Sequence, residues 1–80
     1  MAIVRHLELR PLQVDAKHTE VDATYSLVKD KDGTPYLQID TYGSEARKLQ
    51  GKKSQSIRLS PEAVVQLREI FDRHFRQLEP

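Results

Sequence analysis

The chain has 80 residues, 38% hydrophobic and 31% charged, with a formal net charge of +1 and no cysteine. A chain of this length buries only about 60% of its unfolded surface, enough for one core, and the composition excludes a disordered or collagen-like polymer, a disulfide scaffold and a thiolate metal site. No run reaches the roughly 18 apolar residues that span a bilayer and no charged region precedes an apolar stretch at the N-terminus, so a single soluble, cytoplasmic domain over residues 1–80 with no membrane partner is expected.

The first alternating run, residues 3–10, places Leu7 and Leu9 on one face and His6, Glu8 and Arg10 on the other, and reads as a strand stopped near Pro11. Residues 19–28 alternate again, with Val21, Ala23, Tyr25 and Leu27 against Glu20, Asp22, Thr24 and Ser26. The Asp32-Gly33 pair that follows predicts a hairpin, because Gly accepts the positive φ such turns require. In the third run Leu37 and Ile39 are predicted inward, and Tyr36, Gln38, Asp40 and Tyr42 on the opposite face. A fourth short run, residues 54–59, sends Ile57 and Leu59 inward and Ser54, Ser56 and Arg58 outward.

Ser60-Pro61-Glu62 is a strong helix start: a hydroxyl N-cap, a proline where its missing N–H costs nothing, and an acid at the positive end of the dipole. Val64, Leu67, Ile70, Phe71, His74, Phe75 and Leu78 then recur at three- and four-residue spacing, predicting one apolar stripe turned to the sheet. The expected fold is α+β: a four-stranded antiparallel sheet followed by one C-terminal amphipathic helix (ββββα). A core this small favours a homodimer.

The uneven charge points to function. Arg47, Lys48, Lys52, Lys53 and Arg58 lie between residues 46 and 58 without an acidic neighbour, whereas residues 15–32 carry five acids. Lys and Arg on such a segment neutralise phosphates, and strand aromatics such as Tyr36 and Tyr42 stack bases at about 1 to 3 kcal/mol each with little regard to sequence. The same pattern also fits a solvated loop beside ordinary strand tyrosines. His18, Glu20 and Asp22 share one strand face, but without a further ligand cluster no metal and no cofactor is expected. Asp40 followed by Glu45-Ala46-Arg47 is a weak echo of metal-dependent nuclease cores, which place a Lys where this chain has Arg; with no nucleophile motif, a non-enzymatic chain is expected.

Residues 36–71 resemble the positive-cofactor-four type of transcriptional coactivator and its small bacterial relatives. The likeness lies in Ile39-Asp40-Thr41-Tyr42, in Gly51-Lys52-Lys53, and in Ile57-Arg58-Leu59-Ser60-Pro61-Glu62 with Leu67. It implies a homodimer that binds single-stranded DNA through its sheets and basic arms, with Lys52 and Lys53 on phosphates, Tyr42 as a stacking surface and the helices in the dimer core. Where the family has one Gly, this chain has Ser54-Gln55-Ser56, an insertion that preserves the strand's side-chain parity. The expected partner is single-stranded nucleic acid, DNA ahead of RNA, with Arg47, Lys48, Lys52, Lys53 and Arg58 on phosphates and Tyr36 and Tyr42 on bases. The alternatives are a protein-interaction or dimerisation module accessory to a DNA-processing complex and a small metal-dependent nuclease.

Overall fold

The computed structural model describes residues 1–43 and 53–76. Within them lie strands β1 (Ala2–Val4), β2 (Asp22–Lys29), β3 (Pro35–Tyr42) and β4 (Gln55–Leu59) and helix α1 (Pro61–His74). The order across the sheet is β1-β4-β3-β2. The class is α+β with one C-terminal helix.

The β2–β3 hairpin forms where the Asp-Gly signal places it. Asp30 closes the turn: its carboxylate accepts from the N–H of Asp32 (2.9 Å) and of Thr34 (3.0 Å), and its carbonyl accepts from Gly33 N–H (3.0 Å). Gly33 sits at φ 84°, the left-handed residue of a three-residue hairpin loop. The ladder runs from Lys29↔Pro35 to Asp22↔Tyr42, and β4 pairs antiparallel with the other side of β3, Leu37 opposite Leu59 and Ile39 opposite Ile57.

The sheet is mixed, which corrects the antiparallel expectation. β1 runs parallel to β4, with Ala2 opposite Ile57 and Val4 opposite Leu59. It is also short, ending at Val4 instead of reaching Arg10, and residues 5–21 follow in irregular conformation, so the second strand begins at Asp22 and not at residue 19. Alternation reports which residues share a face. It carries no information on strand direction, which depends on a partner more than 50 positions away and, unlike a hairpin, leaves no local turn signal.

Helix α1 starts as its sequence predicts. Ser60, fully buried, is the N-cap; its hydroxyl accepts from Ala63 N–H (3.2 Å) and its carbonyl from Val64 N–H (2.9 Å). Its own N–H donates to Val4 O (3.0 Å), tying the helix start to β1. Gln66 holds the irregular N-terminal segment, accepting from Leu7 N–H (2.8 Å) and donating to Leu7 O (3.2 Å) as a neighbouring strand would. The helix packs against β3 and β4. Leu78, expected on its stripe, lies outside the described residues. No helix among the described residues is long and apolar enough to cross a membrane.

The distribution of burial departs from expectation. Leu37 and Ile39, predicted as core, are half-buried, whereas Tyr36, Gln38 and Asp40 on the opposite face are buried. Short apolar side chains on a narrow sheet need a wide lid, and one helix of 14 residues covers the Leu59–Ala63 region while Tyr25 and Leu27 of β2 remain 75% and 83% exposed. The polar face is covered by its own long side chains, which fold over one another.

Candidate nucleic-acid interface

The polar face is organised by Asp40. It is only 2% exposed, and each of its oxygens has donors. Ser56 Oγ donates to Oδ1 (2.5 Å), Gln38 Nε2 bridges Oδ1 and Oδ2 (3.0 and 3.1 Å), and Lys53 Nζ lies 3.2 Å from Oδ2. The Ser56 and Gln38 hydrogen bonds, opposed by burial and aided by Lys53, hold the Asp40 carboxyl below the usual aspartate range. The register accounts for the cluster: Asp40 opposes Ser56 and Gln38 opposes Arg58, so these side chains are cross-strand neighbours.

Gln38 passes the network on. Its Oε1 accepts from Arg58 Nε (2.6 Å), leaving both terminal nitrogens of Arg58 clear of that bond. Arg58 forms no ion pair among the described residues, whereas Lys53, half exposed, already faces a carboxylate. Both cations line a groove of about 430 Å³ together with Ser56, Gln38 and Ile3. Beside β4, then, the face offers one cation held by a neutral partner and one held by an acid.

The tyrosines separate. Tyr36 is 6% exposed; its hydroxyl donates to Asp30 Oδ2 (3.3 Å) and accepts from Arg5 Nη2 (3.2 Å), and the Arg5 guanidinium sits 5.8 Å from the ring centroid. That hydrogen bond raises the already high pKa of Arg5. A ring so covered presents no face to a base, so the expectation of Tyr36 as a stacking residue gives way to a bracing one, joining the N-terminal segment to the hairpin turn. Tyr42 is half-buried, with its hydroxyl 3.0 Å from Thr24 Oγ1.

Of the expected phosphate contacts, Lys53 and Arg58 come together here; Arg47, Lys48 and Lys52 lie outside the described residues. Gln38, Asp40 and Ser56, which hold the cations in place, become visible as a unit only once β3–β4 register is known. Their signal in the sequence is the alternation of polar side chains along both runs. For the His18, Glu20 and Asp22 grouping, His18 Nδ1 lies 2.7 Å from the carbonyl of Ala16, and no three His, Asp or Glu side chains among the described residues gather to hold a metal.

Comparison of the chain with family models, curated proteins and solved structures returns no match.

Proposed function

We propose that this domain is a non-enzymatic nucleic-acid-binding module of the cytoplasm that takes single strands, DNA ahead of RNA, with little sequence specificity, and that it works as a homodimer. The observation that carries the reading is Arg58: a guanidinium fixed through Nε by a neutral amide, uncompensated by any acid among the described residues, beside Lys53 in an open groove. A planar fork with free nitrogens is suited to phosphate oxygens. Tyr42 is the nearby stacking surface. Arg47, Lys48 and Lys52 extend the cationic track in sequence, and the resemblance of residues 36–71 to single-strand-binding coactivators supports the same assignment. Titration of a fluorescent single-stranded oligonucleotide at low salt tests it. Binding that weakens steeply with salt is expected; no binding at low salt refutes it.

A second reading, a protein-interaction module, draws on a different observation. Tyr25, Leu27, Val65, Phe71 and Phe75 are all exposed, and apolar surface of this kind marks interaction sites. Indifference to nucleic acid together with a specific protein complex distinguishes it.

A further inference from the structure

β2 is the last strand of the sheet, and its outer edge pairs with no strand among the described residues. Which backbone groups face outward follows from the hairpin. Asp30 N–H donates to Thr34 O (3.1 Å), so Asp30 and Thr34 are a hydrogen-bonded pair. Bonded and non-bonded pairs alternate along an antiparallel ladder. With Asp22 opposite Tyr42 and Ser26 opposite Gln38, the even-numbered residues of β2 bond to β3. The N–H and C=O groups of Ala23, Tyr25, Leu27 and Lys29 therefore point away from the sheet.

Proteins protect such edges with proline, bulges, inward charges or very short strands. β2 has eight residues, and between Ala23 and Val28 there is neither a proline nor a charge. Tyr25 and Leu27, whose backbones face outward, also leave their side chains 75% and 83% exposed.

We propose that this edge pairs antiparallel with the same edge of a second copy of the chain, about a two-fold axis at Ser26. The inference deepens the homodimer part of the proposed function by naming the surface and its register. Centred on Ser26, the pairing places Tyr25 opposite Leu27 of the other copy, Thr24 opposite Val28 and Ala23 opposite Lys29, so every outward N–H and C=O of those four residues finds a partner. Tyr25 against Leu27 removes exposed aromatic and aliphatic surface from water across the seam. A register centred on Tyr25 would set Lys29 opposite Val21, outside the strand, and leave part of the ladder unused.

The seam is small. Eight residues at about 3.3 Å each and a sheet about 10 Å thick give a footprint of about 260 Å² per copy, well below the roughly 800 Å² per partner of a standard stable interface. The dimer is therefore expected to be weak and concentration-dependent.

The chain has no cysteine, so a single introduced thiol reports on itself alone. At the axis Ser26 faces its own copy in a non-hydrogen-bonded pair, at a Cα separation of about 4.5 Å that a disulfide spans. Three measurements on the full chain decide the matter: mass against concentration by sedimentation, disulfide formation by Ser26→Cys under mild oxidation, and the mass of Leu27→Pro. Leu27→Pro removes an outward N–H and leaves the β2–β3 ladder bonds in place, so circular dichroism should stay that of the wild type; Leu27→Lys blocks the edge without a backbone change. Expected are a wild-type mass rising to the dimer, rapid covalent dimer from Ser26→Cys but not from Ser54→Cys, which precedes β4 and is away from the β2 edge, and monomeric Leu27→Pro and Leu27→Lys. A wild-type dimer that persists in both Leu27 variants and gives no Ser26→Cys product overturns the edge and leaves the homodimer standing; a monomer at every concentration overturns both. Oligonucleotide binding by the monomeric variants keeps the nucleic-acid reading separate from either result.

Discussion

The sharpest prediction concerns how Arg58, Lys53 and Asp40 divide the salt dependence of binding. Each phosphate contact to a single strand contributes about 0.7 to the slope of log K against log salt, so raising salt from about 50 to 200 mM weakens binding by about 2.6-fold per contact. Arg58→Gln removes one charge while its amide still reaches Gln38, and should lower the slope by about 0.7. Lys53→Gln should lower it by less, because Lys53 already faces Asp40 at 3.2 Å and a phosphate must share it. Asp40→Asn should tighten binding and steepen the slope, since the face loses the negative charge beneath Lys53 while Asn still accepts from Ser56. The assay is anisotropy of a labelled oligonucleotide at four or more salt concentrations, with folding of each variant checked by circular dichroism. Equal slopes for wild type and Arg58→Gln would show that Arg58 holds no phosphate, and weaker binding by a folded Asp40→Asn that Asp40 does not compete for Lys53.

Three further outcomes test the fold on which the face depends. Ser60→Ala removes the N-cap acceptor of Ala63 N–H and should cost about 1 kcal/mol, a melting shift of about 4–8 °C for a domain of this size; a shift under about 1 °C counts against the cap. Gly33→Ala forces a side chain into φ 84° and should destabilise by about 1–2 kcal/mol in denaturant melts, although open space surrounds the position. The folded pKa of Asp40 lies below its ordinary value of 3.8, so its contribution is fully present above that value and is lost as pH falls through the lower one; acid melts of Asp40→Asn should show a shallower loss below about pH 4 than wild type, and an unchanged acid limb would remove Asp40 as its source.

Much of the fold is legible in local sequence because its signals are local. Asp30 and Gly33 build the turn from residues within four positions of one another, and Ser60-Pro61-Glu62 caps a helix with groups one turn away. Alternation likewise sorted Gln38 and Asp40 from Leu37 and Ile39 correctly by face. The candidate site was legible in part: the cations Lys53 and Arg58 could be singled out, but their partners could not, because Asp40 and Ser56 meet only through the β3–β4 register.

Residue chemistry along the chain thus determined the hairpin, the helix and the sorting of residues by face, since each rests on geometry set within a few residues. Tertiary structure decided three things: that β1 joins β4 in parallel, that the polar face is the better covered one, and that Tyr36 braces Arg5 against Asp30 instead of standing open to a base. The first depends on a partner strand more than 50 positions away, and the other two on which long side chains reach across the sheet and on how much of it one helix can cover. Those are distances in space between residues far apart in the chain, and no local pattern encodes them.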